Sequence, residues 1–139
     1  MEAVIYLELL EQPHWGYQKP LLQWVNSLYR NITTLDLDSR SDKMLIDYAC
    51  RLVTESERCV VFVEAQPQAH FGNATRFLEL LLQQGNNCLV LLHGKNERLQ
   101  QIYAARPMLL FFQAEEEAPL RVKLKQYLEG NAIQAKPGV

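Results

Sequence analysis

The chain has 139 residues, 48% of them hydrophobic and 22% charged, the balance of one ordinary globular domain able to bury its own core without metal or disulfides. Fourteen Lys and Arg against sixteen Asp and Glu leave a formal net charge of -2, so no basic field is offered to nucleic acid or to an anionic membrane. No run approaches the roughly 20 apolar residues of a membrane span, and Met1-Glu2-Ala3-Val4 lacks the basic-then-apolar pattern of a leader, so a cytoplasmic protein is expected.

Ala3 to Leu10 is the first β-branched, apolar run and reads as a strand. Pro20, suited to a first helical turn, opens a helix with Leu21, Leu22, Val25, Leu28 and Tyr29 on one face. Thr33 to Leu37 is a shorter strand, and Ser39-Arg40-Ser41-Asp42 supplies capping side chains for a helix carrying Met44, Leu45, Tyr48, Ala49, Leu52 and Val53. Cys59 to Glu64 and Asn87 to His93 are apolar almost throughout rather than alternating, the pattern of strands covered on both faces. Between them Ala74, Phe77, Leu78, Leu81 and Leu82 repeat at helical spacing, with Asn73 as the expected N-cap and Gly85 as the expected stop. Asn96 precedes the helical spacing of Leu99, Ile102 and Tyr103, and Met108 to Gln113 is the last strand. Glu115-Glu116-Glu117 suits the start of a helix bearing Leu120, Leu124, Tyr127 and Leu128, closed by Gly130. Residues 1 to 130 therefore read as one domain, and 131 to 139, with Lys136-Pro137-Gly138, as a frayed tail.

Strand and helix alternate five times. Such units build a three-layer, doubly wound α/β domain with a five-stranded parallel sheet, right-handed crossovers and helices on both faces. For a chain this short the flavodoxin-like strand order 2-1-3-4-5 is predicted. Cys50, Cys59 and Cys88 each sit in an apolar run and read as reduced, packed thiols. Neither Cys-x-x-Cys nor His-x-x-x-His occurs, so no metal site is expected.

In an open parallel sheet, ligands bind beyond the carboxyl ends of the strands, where the strand order reverses. The loop after the first strand holds His14, Trp15 and Tyr17; the loop after the third holds His70 and Phe71; the fourth strand ends at His93. These residues form a candidate pocket in which imidazoles bond or move protons and aromatic rings cover a planar, nucleotide-like ligand. The competing reading is solvated loop histidines and aromatics that seal the sheet. Asp36 and Asp38, around Leu37, are able to hold a ribose hydroxyl or a cation, or to end the strand and support the next helix start, and Asp38 is carried as a ligand candidate. No cofactor is expected, because neither Gly-x-Gly-x-x-Gly nor Gly-x-x-x-x-Gly-Lys-Ser/Thr appears. A receiver domain is excluded: Glu64 replaces the phospho-accepting Asp, and Gln113 stands where its Lys would be.

The segment Ser56-Glu57-Arg58-Cys59-Val60-Val61-Phe62-Val63-Glu64, followed by a loop and Thr75-Arg76-Phe77-Leu78-Glu79-Leu80, resembles the middle of Toll/interleukin-1 receptor (TIR) domains. There a Ser-rich helix end leads into an apolar strand, a variable loop and a helix with a Glu-Leu pair. Members that cleave nicotinamide adenine dinucleotide use a Glu on that helix, which the resemblance matches to Glu79; nucleoside deoxyribosyltransferases are similar in general layout and also use a Glu. Thr75, Glu79 and Gln83 equally make the polar outer stripe of an amphipathic helix. The reading is a small interaction or regulatory module that senses a nucleotide or nucleoside ligand and engages a protein partner or a second copy, with Trp24 as an anchor. The alternative is an enzyme cleaving an N-glycosidic bond through Glu79 or Glu64, with a loop histidine assisting.

Overall fold

The computed structural model describes residues 1–11 and 19–130. Five parallel strands, β1 (Glu2–Leu9), β2 (Ile32–Asp38), β3 (Arg58–Ala65), β4 (Cys88–His93) and β5 (Leu110–Ala114), form one sheet in the order β2-β1-β3-β4-β5. They are connected by α1 (Pro20–Leu28), α2 (Lys43–Glu55), α3 (Thr75–Leu81), α4 (Glu97–Ala104) and α5 (Glu117–Leu128), with a 3-10 turn, Gly72–Ala74, leading into α3. The flavodoxin-like order read from the sequence is the observed one. No helix of the described residues is long and apolar enough to cross a membrane.

Side-chain alternation along the strands divides the core into two layers. Ala3, Ile5, Leu7 and Leu9 of β1, with Val61 and Val63 of β3 and Val90 and Leu92 of β4, pack against α2, α3 and α4. Val4 and Tyr6, Val60 and Phe62, Leu89 and Leu91, and Leu110 and Phe112 pack against α1 and α5. Every one of these strand positions is buried, so β1, β3 and β4 are covered on both faces.

Local signals set most of the helix ends. Pro20 occupies the first turn of α1, the Asp42 carboxylate accepts from the Leu45 amide at 2.8 Å, and Gly130 follows α5 with φ +80°. Two expected signals around α3 act otherwise. Asn73 does not cap it; its Nδ2 donates to the Ser41 carbonyl at 3.1 Å, tying the 3-10 turn to the loop before α2. The helix ends at Leu81, ahead of Gly85, whose φ is not positive, because the chain passes into a turn at Leu82 and Gln83, where the Leu82 and Gln83 amides reach back three residues to the Glu79 and Leu80 carbonyls. Cys59 and Cys88 are buried register partners, whereas Cys50 is only half-buried. The Cys59 hydrogen bond and burial together push the Cys88 thiol up, away from the thiolate.

Candidate functional site

The alternation that buries Tyr6, Phe62 and Leu91 against α1 and α5 carries the next residue on that face of each strand, Glu8, Glu64 and His93, to the carboxyl edge of the sheet. In the parallel register Glu8 lies opposite Glu64, and Glu64 opposite His93, so three polar side chains stand in one row across β1, β3 and β4. On the other side of β1, Asp36 is the register partner of Tyr6, and Asp38 that of Glu8. The β1/β3 boundary is where the strand order reverses.

Glu64 is the centre of the row. Its Oε2 accepts the Tyr6 hydroxyl at 2.6 Å. Its Oε1 faces His93 Nδ1 at 3.7 Å, beyond hydrogen-bond reach, and that nitrogen is buried with no hydrogen-bond partner among the described residues. The Tyr6 ring stacks on Phe62, centroids 5.3 Å apart at 15°, and Phe62 meets the His93 ring at 5.7 Å, so the bearers of the polar groups share one aromatic floor. Burial first, and then the bond and charge of Glu64, push the Tyr6 phenol far above its ordinary range. It is therefore fixed as a donor.

A second pair adjoins the first. Lys19 Nζ donates to Glu8 Oε2 at 2.9 Å, with the two side chains only 10% and 12% exposed, and the ammonium lies 5.6 Å from the Tyr6 ring centroid. Burial opposes the Lys19 charge, but the Glu8 bond with the charges of Asp36, Glu8 and Glu64 outweighs it, and the amine is raised. Asp36 is also raised: partial shielding of its carboxylate leads, and Glu8 and Asp38 add to it against the pull of Lys19. Around the row, Gly94 adopts φ +108°, the Gly94 amide donates to the Ala114 carbonyl at 3.0 Å, and Gln113 Nε2 donates to the Gly94 carbonyl at 2.8 Å. The loops after β1 and β3 are joined by the Glu11 amide on Gln66 Oε1 and the Gln68 amide on Glu11 Oε1.

The residues singled out in the sequence fall into three groups. Glu64 and His93 are brought together in the row. His14, Trp15 and Tyr17 lie outside the described residues. The remainder stand apart. Asp38 spends its carboxylate on its own turn, accepting from the Arg40 amide at 2.8 Å. Phe71 packs against the α2, α3, α4 layer and is capped by the Arg98 guanidinium at 4.9 Å from its centroid, while the neighbouring His70 is exposed. Glu79 is exposed on α3, in the layer across the sheet from Glu64, so the two carboxylates do not share a site. Trp24 is half-buried against the α1, α5 core under Arg121 at 4.8 Å, and is not a bare anchor.

Tyr6, Glu8 and Lys19 were not singled out as site residues from the sequence. The available signal was parity: in otherwise apolar strands, the charged or imidazole residues Glu8, Glu64 and His93 occupy equivalent positions at three adjacent strand ends. A separate open groove of about 290 Å3, lined by Lys43, Ile46, Asn73 and Arg76, lies between α2 and α3 in the opposite layer, where Arg76 is ion-paired with Asp47. Among the described residues, no group of three His, Cys, Asp or Glu is arranged to hold a metal ion. Compared with known proteins, the chain matches no family model, no curated protein and no solved structure.

Proposed function

We propose that this protein is a small regulatory module that binds a small-molecule ligand at the carboxyl edge of its sheet, on the α1 and α5 side. One observation carries the reading: a Glu64 carboxylate fixed by Tyr6 on one oxygen, with its other oxygen 3.7 Å from a buried His93 nitrogen that has no hydrogen-bond partner among the described residues. Leaving a buried polar atom unpaired costs about 1–3 kcal/mol, and such a cost is tolerated where a bound molecule or a small closing movement repays it. The position fits as well, since open parallel sheets bind ligands at the strand-order reversal. Regulation in this reading is the transmission of occupancy, through α1 and α5, to a protein partner or a second copy of the chain.

The test is a thermal-shift screen of the wild-type protein and Glu64→Gln against nucleosides, nucleotides and other metabolites. A ligand at 100 times its dissociation constant stabilises by about 2.7 kcal/mol, a rise of several degrees at this chain length. The expected result is at least one ligand that stabilises the wild type and loses most of its effect in Glu64→Gln. No ligand-induced rise, or one insensitive to Glu64, refutes the site.

A second reading has its own support. A carboxylate oriented by a phenol, with one oxygen open and an imidazole nearby, is chemically equipped to attack or stabilise a ribosyl cation, as in the N-glycosidic cleavage that the TIR and deoxyribosyltransferase resemblances imply. In that reading Glu64, not Glu79, is the catalytic carboxylate. Release of nicotinamide from nicotinamide adenine dinucleotide, or of free base from nucleosides, by wild type and not by Glu64→Gln is the supporting result; no release by wild type removes it for those substrates.

A further inference from the structure

Independently of the ligand site, we infer that β2 is a docking edge for a second copy of this chain, the two β2 strands pairing antiparallel about a two-fold axis so that the sheets of both copies join into one. The sheet ends in β2 on one side and β5 on the other, and the two edges are finished differently. β5 begins with Leu110, Phe111 and Phe112, all buried, and Lys123 lies over the Phe112 ring at 4.6 Å. β2 is longer, at seven residues, and its Ile32, Thr33, Thr34 and Leu35 are only half-buried.

An edge strand turns a row of N–H and C=O groups away from its sheet, and natural chains blunt such an edge with Pro, a bulge, an inward-pointing charge or a covering segment. β2 contains neither Pro nor Gly, and its register with β1 runs without a bulge from Ile32 to Asp38. Among the described residues, the first hydrogen bond to β2 from outside the sheet is at Asp38, whose amide donates to Ser41 Oγ at 3.0 Å. The β-branched run Ile32-Thr33-Thr34 suits a further strand alongside.

Charge identifies the occupant. Arg30, exposed, precedes the strand and forms no ion pair among the described residues, whereas Asp36 and Asp38, both exposed, end it. A strand that is cationic at its start and acidic at its end complements itself when the second copy runs antiparallel; parallel pairing sets like charges side by side. A two-fold axis through Thr34 keeps each face of the joined sheet continuous. It brings Asp38 level with Arg30 of the second copy, and Leu35 level with its Thr33. Asp38 has an oxygen for this contact: Oδ1 accepts from the Arg40 amide, and Oδ2 accepts nothing among the described residues. The Asp36 carboxylates of the two copies are then offset by four residues, about 14 Å, beyond the Debye length of about 8 Å at physiological salt. An axis through Leu35 instead brings Arg30 level with Arg40 and halves the Asp36 offset, so charge selects Thr34.

Sedimentation equilibrium of the full chain from about 5 to 500 µM tests this, with cysteine trapping as a second readout. The expected result is a reversible monomer–dimer equilibrium that Arg30→Glu weakens about tenfold or more and that high salt weakens several-fold by screening. Residues directly opposite in an antiparallel pair lie within disulfide reach. Thr34→Cys treated with oxidised glutathione is therefore expected to give a dimer linked through position 34, while the wild type, carrying Cys50, Cys59 and Cys88, serves as the unlinked control. Thermal melting checks that both variants fold. A chain that stays monomeric over the whole range overturns the inference. A dimer unchanged by Arg30→Glu, or one that does not link through position 34, uses another surface and overturns it as well. Neither readout involves a ligand, so failure here leaves the carboxyl-edge reading to its own screen.

Discussion

The Tyr6 hydroxyl and the Glu64 carboxylate form a side-chain to side-chain link across the strand-order reversal, at 2.6 Å. Hydrogen bonds to charged groups contribute about 1.5–3 kcal/mol, and Glu64 is one-third exposed, so Tyr6→Phe is expected to lower unfolding stability by about 1–2 kcal/mol in urea titration. The same variant has a pH signature. Burial and then Glu64 raise the Tyr6 phenol, so above the ordinary tyrosine range the folded chain holds a proton that the unfolded chain has released. The contribution is fully present below pH 10 and declines as pH rises beyond it. Wild type should therefore lose stability between pH 9 and 11 more steeply than Tyr6→Phe; equal slopes would contradict the buried donor.

Asp36 carries the opposite lesson about charge. Its carboxyl is raised by shielding and by Glu8 and Asp38, so the folded chain binds its proton more readily than the unfolded one. Stability from this group rises as pH falls through the folded value, and at pH 7 its charge is a liability. Asp36→Asn is expected to melt higher than wild type at pH 7, with the gap closing toward pH 3, where both chains are neutral at that position. Thermal melts across that range decide it.

At the scale of the element, the junction of β4 with α4, next to His93, is set by one left-handed glycine and one buried capping side chain. Gly94 has φ +108°, and a Cβ there would stand 2.6 Å from the Ala65 carbonyl oxygen. Gly94→Ala combines a left-handed non-glycine residue with a backbone collision, so a loss of about 3 kcal/mol is expected by chemical denaturation, together with weaker ligand binding because His93 is the preceding residue. Asn96 follows. Only 2% exposed, it caps α4 by accepting from the Leu99 amide at 3.1 Å, and its Nδ2 donates to the Gln66 carbonyl at 2.9 Å in the loop after β3. Asn96→Ala removes both bonds and is expected to cost about 2 kcal/mol. Asn96→Ser keeps a capping oxygen but loses the donor to Gln66, so its loss should be the smaller of the two, and a reversed order would show that the cap is not the dominant contact.

For the whole molecule, the sheet order and its two-layer core were legible because apolar strands and one-sided helices leave few topologies. Val60 to Val63 and Leu89 to Leu92 are buried to the last residue, as their unbroken apolar runs require. The α3 boundaries were not legible, because the Asn73 side chain answers to Ser41, a partner 32 residues away that no local pattern reveals. The site was half legible. His93 and Glu64 end strands, where period 2 fixes the face, and the register brings them together. His70 and Phe71 belong to a loop, where no period assigns a side, and Phe71 turns to the other layer. Glu79 looked chemical by position in a family-like segment, yet the polar stripe with Thr75 and Gln83 is simply the outer face of α3. Lys19 and Tyr6 gain their meaning only from the folded row, through Glu8 and Glu64.

The central claim is that the row of Glu8, Glu64 and His93 is where this protein meets its ligand. The most direct measurement is an NMR titration of the labelled protein, following backbone amides and the His93 imidazole nitrogens, with the compound that most raises its melting temperature. The account predicts saturable shifts concentrated at Tyr6, Glu8, Glu64 and His93, with the imidazole signals moving together with the amides. Shifts confined to the groove around Lys43, Asn73 and Arg76, or an unmoved His93 at saturation, would contradict it.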